Sequence, residues 1–256
     1  MNISKNLTIK EIFSLATKNH ASNNIEVAQK LYKEVLKINP NYAPAHNNLG
    51  VVFKTLGETH KAKDCYEKSI EIDPSYADAY CNLGMIFKEL EENQKAIDYY
   101  EKAIEINPKH LNAHNNLGVV HQKLTQHQKA KNCYEKAIEI NPSNSDSYCN
   151  LGTIYGELDE NQKAIDYYEK AIEINPKHLN AHNNLGGVYN KLGDYKRAIE
   201  TYEKVIEIDS NHEITLYNLG VALHSTQQYK NAAEKFKLIN FKNSKSFLLS
   251  SLYNLD

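Results

Sequence analysis

One spacing governs this chain. The tripeptide Asn-Leu-Gly returns with its glycine at Gly50, Gly84, Gly118, Gly152, Gly186 and Gly220, each step 34 residues long. Three further columns keep the same register. Prolines stand at Pro40, Pro74, Pro108, Pro142 and Pro176, with Ser210 in the next place. Alanines recur at Ala28, Ala62, Ala96, Ala130, Ala164, Ala198 and Ala232. Bulky aromatics recur at Tyr32, Tyr66, Tyr100, Tyr134, Tyr168, Tyr202 and Phe236. Four columns in one register describe a structural unit laid down repeatedly, not a single core assembled once.

Each column has a physical task. Leu49, Gly50 and Phe53 are helically spaced, as are Ala62, Tyr66, Ser69 and Ile70, so the pattern predicts two amphipathic helices per unit. Gly57, Glu58 and Thr59 supply a short turn between them. Gly50 and Ala62 are small where two antiparallel helices approach, and Tyr66 is large where a gap needs filling. Pro74 cannot continue a helix, so it ends the second one and opens the next unit. A lone hairpin cannot bury both apolar faces, and successive hairpins are therefore expected to stack.

These columns resemble the tetratricopeptide repeat. The resemblance implies an all-α fold, a right-handed superhelical solenoid of antiparallel helix hairpins. It divides the chain into a leader at 1–8, a degenerate first repeat at 9–42 with Ala16 in place of the glycine, and six repeats over 43–246. Thr8 and Glu11 have the spacing of a capping box for a first helix. The segment 247–256, with Phe247, Leu248, Leu249, Leu252, Tyr253 and Leu255, reads as one more helix, apolar on more than one side. A cap, the stump of a longer protein and a contact for self-association all fit it.

A longer period lies above the first, because residues 92–118 are identical to residues 160–186. Alternate repeats share a flavour: His46, His114 and His182 open one class, Tyr80 and Tyr148 the other. Duplication of a two-repeat block accounts for this, and it makes residues recur whether or not function demands them.

Composition narrows the partners. The 30 Lys and Arg are balanced by 32 Asp and Glu, for a net charge of -2, without the basic stripe that nucleic acid requires. Arg197 is the only arginine, which counts against guanidinium clamps on phosphate. No apolar run is long enough to span a membrane, and residues 1–20 lack a continuous apolar stretch, so a cytoplasmic protein is expected. There is no phosphate loop, zinc-protease helix or nucleophile elbow, so the chain is read as a non-enzyme with no catalytic residue and no cofactor.

The histidine pairs His110/His114 and His178/His182 have a spacing that can hold zinc on one helix. His110, however, follows Pro108 into the inter-repeat loop. With stacked helices about 10 Å apart, His46, His114 and His182 would lie roughly 20 Å from one another. Half-buried packing is expected of them, and no metal. Cys65, Cys81, Cys133 and Cys149 fit small buried thiols in duplicated positions.

The functional hint is a column of amides. Asn48, Asn82, Asn116, Asn150, Asn184 and Asn218 each precede the core leucine of a repeat. If the leucine points into the hairpin, the asparagine projects to the side, toward the groove that the first helices line in this fold. A carboxamide both donates and accepts, so a row of them can grip a peptide backbone irrespective of its side chains. Asn47, Asn115 and Asn183 thicken the row in alternate repeats, and Asn112 and Asn180 extend its edge. The arrangement resembles the asparagine ladder in the repeat domain of O-linked N-acetylglucosamine transferases, which implies peptide binding by these residues.

Groove charges of mixed sign, Lys54, Lys88, Lys123 and Lys191 against Asp78, Glu89, Asp146 and Glu157, do not select a strongly acidic tail. The expected partner is an extended protein segment of neutral or mixed charge. Two other readings stay open. The chain could be the substrate-recognition arm of a protein-modifying enzyme such as a glycosyltransferase, or a structural protein that self-associates through its ends.

Overall fold

The computed structural model describes residues 7–239 and Ser251. The leader apart from its last two residues, and the helix expected at 247–256 apart from Ser251, lie outside the described residues. Among the described residues there are fourteen helices and no strand: α1 (Ile9–Ala21), α2 (Ile25–Ile38), α3 (Ala43–Thr55), α4 (Thr59–Ile72), α5 (Ala77–Glu89), α6 (Asn93–Ile106), α7 (Leu111–Lys123), α8 (His127–Ile140), α9 (Ser145–Glu157), α10 (Asn161–Ile174), α11 (Leu179–Lys191), α12 (Tyr195–Ile208), α13 (Glu213–Ser225) and α14 (Tyr229–Lys237). None is long and apolar enough to cross a membrane.

The chain divides into two compact units, Met1–Cys133 and Tyr134–Asp256. In the first, α1 pairs with α2, α3 with α4 and α5 with α6, and α7 packs on the last of these. In the second, α9 pairs with α10, α11 with α12 and α13 with α14. Each hairpin rests on the next through its second helix, α2 on α3, α4 on α5, α10 on α11 and α12 on α13. First helices also approach one another directly: α1 with α3, α3 with α5 and α5 with α7, then α9 with α11 and α11 with α13. Second helices do not, since among the described residues α2 stays clear of α4, α4 of α6 and α10 of α12. Within each unit the first-helix side is thus the inside of the stack.

Local signals explain where the helices begin and stop. Thr8 caps α1 in a full capping box, its hydroxyl accepting from the Glu11 N–H while the Glu11 carboxylate accepts from the Thr8 N–H at 2.7 Å. The α3–α4 turn passes through Gly57 at φ +76°, a left-handed conformation that costs glycine nothing. The same turn recurs at every repeat, but only Gly193 shares that residue type. Asn23, Glu91, Thr125, Asp159 and Gln227 hold φ between 56° and 62°. Pro74 falls just after α4, whose last backbone bond runs from the Asp73 N–H to the Ser69 carbonyl at 2.9 Å.

Close approach inside each hairpin fixes its geometry. Tyr32, Tyr66, Tyr100, Tyr134, Tyr202 and Phe236 are among the largest fully buried side chains. A Cβ placed on Gly84 would sit 2.6 Å from Cε1 of Tyr100, and one on Gly220 would sit 2.5 Å from Cε1 of Phe236. The aromatic ring occupies the room the glycine vacates. Ser69, at a position alanine takes in α6 and α10, is also fully buried and donates its hydroxyl to the Ala43 carbonyl at 2.9 Å, which satisfies it.

Candidate functional site

The asparagine column lies on the inner, first-helix side of each unit. Asn48, Asn82 and Asn116 on α3, α5 and α7, and Asn150, Asn184 and Asn218 on α9, α11 and α13, are all half-buried. Among the edge residues, Asn47 is buried, Asn115 and Asn183 are half-buried, and Asn112 and Asn180 are exposed. This follows from helix geometry: the leucine after each asparagine is buried in the hairpin, and a step of one residue turns the side chain about 100° away from it.

The amides are not all idle. In the first unit Asn47 donates to Asn48 Oδ1 at 3.1 Å, and Asn82 donates across the repeat boundary to Asn47 Oδ1 at 2.8 Å. In the second, Asn218 donates to Asn183 Oδ1 at 3.4 Å, where the Thr215 hydroxyl also donates at 2.9 Å. Asn183 in turn donates to Asn184 Oδ1 at 3.4 Å. Asn184 donates to Thr153 Oγ1 at 3.3 Å, which also receives the Tyr168 hydroxyl at 3.1 Å. The doubled asparagines of the His-class repeats therefore stitch first helix to first helix. Part of the row is spent on holding the stack together.

A cavity opens beside the column in each unit. In the first unit a cavity of about 420 Å³ is lined by Asn47, Asp78, Cys81, Asn82, Met85, His110, Asn112 and Asn116. Burial pushes the Cys81 thiol up to about 12, with the neighbouring Asn116 amide acting the other way, so Cys81 stays protonated beside the amides. Asn82 keeps its carbonyl oxygen without a hydrogen-bonding donor, and Asn112 makes no side-chain hydrogen bond among the described residues. In the second unit a cavity of about 300 Å³ is lined by Thr153, Gly156, Glu157, Asn161, Tyr168, Asn183, Asn184, Gly187, Val188, Lys191 and Asn218.

His110 lies in the inter-repeat loop as expected, at its end, where it is the N-cap of α7; His178 is likewise the N-cap of α11. Nδ1 accepts from the backbone N–H of Ala113 or Ala181 at 3.2 Å, and Nε2 meets Asp78 on α5 or Asp146 on α9, the first helix of the preceding hairpin, at 3.0 Å. Both ring nitrogens are engaged. The His110 contact holds the Asp78 carboxyl below its ordinary pKa, mainly through the hydrogen bond. His46, His114 and His182 use Nε2 on the carbonyls of Pro40, Pro108 and Pro176, at 2.8, 3.0 and 3.0 Å, and so pin the inter-repeat loop. Among the described residues no cluster of three or more His, Cys, Asp or Glu could hold a metal ion.

Several of the charges on this side have partners in the neighbouring repeat. Lys54 meets Glu89, Lys123 meets Glu91 at 2.9 Å, and Lys191 meets Asp159. Each pair joins one repeat to the next, and each is solvent-exposed and worth little on its own. The inner side presents amides more than net charge. The cavity residues that sequence reasoning did not assign to this site include His110, Met85 and Thr153, none of which belongs to a column that runs through every repeat.

Models of the tetratricopeptide repeat match residues 43–76, 77–110 and 179–212, and residues 109–177, and a further model of the same repeat matches residues 19–57. No curated protein matches the chain in sequence. Among solved structures, MamA is 31% identical, with a TM-score of 0.54 over 63% of this chain and 95% of that one. PilF of Pseudomonas aeruginosa is 23% identical, with a TM-score of 0.70 over 76% and 88%. YrrB, described as a TPR protein with an unusual peptide-binding site, is 24% identical, with a TM-score of 0.57 over 77% and 97%. The last two, at that identity, speak to the fold.

Proposed function

The chain belongs to the tetratricopeptide-repeat family, and on that premise we propose that it is a protein-binding scaffold whose inner faces take an extended segment of a partner. Asparagine amides contact the backbone of that segment, and the cavity beside them takes its side chains. The observation that carries this reading is the cavity of about 420 Å³ in the first unit, walled by the amides of Asn47, Asn82, Asn112 and Asn116, with hydrogen-bonding capacity to spare on Asn82 and Asn112. A carboxamide with one bond made inside the protein can still serve a peptide N–H or C=O. The likeness to YrrB supports a peptide as ligand, and the paired surface charges favour one of neutral or mixed charge.

The stitching bonds refine which residues do this. Asn82, Asn112 and Asn116 in the first unit and Asn150 and Asn180 in the second are the ligand-facing members. Asn47, Asn183 and Asn184 serve the stack first, with Asn48, Asn115 and Asn218 beside them. The test starts from random peptides displayed on phage and selected on the intact chain. Affinity of the selected peptides is then measured for wild type, for Asn82→Ala with Asn116→Ala, and for Asn47→Ala. The double variant should bind about tenfold more weakly or worse with its helicity kept, while Asn47→Ala should lower the melting point more than the affinity. Unchanged affinity in the double variant would remove the amides from the binding role.

A further inference from the structure

The outer side of the second unit carries a cavity that no part of the asparagine face explains. It encloses about 490 Å³ among α10, α11 and α12, with Ile172, His182, Leu185, Tyr189 and Thr201 on its walls. Its origin is legible in the repeat register. In α6 Tyr99 stacks on Phe87 of α5, ring centres 5.2 Å apart and planes 3° from parallel. In α10 Tyr167 stacks on Tyr155 of α9 at 5.2 Å and 9°. One repeat further on, Tyr189 stands in the place of Tyr155, but Thr201 stands where Tyr167 would be. The upper ring is present and its partner is missing. At the same place α4 and α8 carry Cys65 and Cys133 and α6 and α10 carry a ring; over Thr201 the space beside Tyr189 is open as the cavity.

We propose that this cavity is a second binding site, taking an aromatic side chain of a protein partner that has a lysine or arginine next to it in sequence. The aromatic ring seats over Thr201 and against Tyr189, in the place Tyr167 holds against Tyr155. A cation already over the upper ring does not prevent this. Lys163 lies 5.1 Å from the centre of Tyr155 while Tyr167 stacks on it, and Arg197 lies 4.4 Å from the centre of Tyr189. The flanking charge follows from the rim. Its two cations already have acidic partners, Arg197 in Asp194 at 2.6 Å and Lys204 in Glu207 at 2.9 Å. Of its carboxylates, Glu173 is taken by Lys170 at 2.8 Å. Glu169 accepts only the Tyr189 hydroxyl at 3.2 Å, and neither it nor Glu200 has an ion-pair partner among the described residues. Two carboxylates without an ion-pair partner among the described residues, beside an apolar slot, select a ring with a basic neighbour.

The probe is acetyl-Lys-Phe-Lys-amide, titrated into the intact chain and followed by backbone amide NMR, with acetyl-Lys-Ala-Lys-amide and acetyl-Glu-Phe-Glu-amide as comparisons. The first peptide should shift amides of residues 182–204 and saturate, with the other two at least about tenfold weaker. Thr201→Tyr, which installs the ring that α6 and α10 already carry, should abolish the binding and raise Tm. Binding to Thr201→Tyr as to wild type, or equal binding of the alanine peptide, would overturn the proposal. If Thr201→Tyr does not fold, Glu169→Gln with Glu200→Gln decides: it should erase the preference for lysine over glutamate flanks, and a preserved preference overturns the site. Asn116→Ala should leave this titration unchanged, so the result stands apart from the fate of the asparagine face.

Discussion

Asn82 on α5 donates its side-chain amide to Asn47 on α3, 2.8 Å away and one repeat back. The bond joins two first helices whose backbones otherwise meet only along a narrow line, and it is partly shielded from water. A double-mutant cycle with Asn47→Ala and Asn82→Ala, read by urea unfolding, should give a coupling of about 0.5–1.5 kcal/mol. Additive effects would show that the amide pair contributes nothing to the stack, and would return both residues to the ligand.

Two adjacent glycines in α11 should respond with opposite sign. A Cβ on Gly186 would lie 2.5 Å from Cε1 of Tyr202, whereas one on Gly187 would meet nothing closer than the Tyr202 hydroxyl at 3.9 Å. Gly186→Ala should therefore cost about 1–3 kcal/mol through overpacking. Gly187→Ala should gain about 0.5–1 kcal/mol by relieving a helix interior of its most flexible residue. Thermal unfolding of both variants checks the pair at once.

Thr125 holds φ at 56° in the turn between α7 and α8, where a branched side chain is strained. Thr125→Gly should stabilise the chain by about 0.5–1 kcal/mol, the relief of strain exceeding the added freedom of the unfolded chain. A fall in the denaturation midpoint would show that the threonine side chain earns its place by some other contact.

Tyr100 is fully buried, and its hydroxyl finds no hydrogen-bonding partner among the described residues. Burial, with Cys81 and Glu89 nearby acting in the same direction, raises its pKa far above the ordinary tyrosine value. Tyr100→Phe keeps the ring and removes the unsatisfied hydroxyl, so it should be neutral or stabilising, by up to about 1 kcal/mol. The change is already present in the last repeat, where Phe236 packs against Gly220. A loss above that size would reveal a partner for the hydroxyl.

The thiols supply the pH dependence. Burial pushes Cys81 and Cys149 up to about 12 and Cys65 and Cys133 up to about 11, from an ordinary 9.0. The folded state holds these protons more tightly than the unfolded one. Their stabilising contribution is thus complete below pH 9.0 and is lost as pH climbs through 11 and 12. At pH 8 iodoacetamide should label Cys81 on the order of a thousandfold more slowly than a free thiol, and at the free rate in denaturant. Fast labelling of the native chain would place the side chain in solvent.

The hairpin, its turn and its buried aromatic were legible because each rests on residues within one period: Gly84 and Tyr100, Pro74 and the end of α4, Thr8 and Glu11. What was not legible involves partners in the neighbouring repeat. Nothing in Asn-Leu-Gly says that Asn82 reaches back 35 residues to Asn47. Nothing in Pro-Lys-His says that His110 caps α7 with its ring, because caps are ordinarily read from Ser, Thr, Asp and Asn. The five left-handed residues other than glycine also escaped, since side-chain identity at those turns gives no warning of φ. The outer cavity is a third kind of miss. Thr201 is unremarkable until it is set beside Tyr99 and Tyr167, the rings that α6 and α10 carry at the same place.

The tether from His110 back to Asp78, repeated from His178 to Asp146, carries a consequence for how such an array can lengthen. Acid and imidazole stand 32 residues apart, inside one 34-residue period, so a copied period brings both halves of the handshake with it. Heredity can therefore add these hairpins singly or in couples without leaving an aspartate that faces no imidazole.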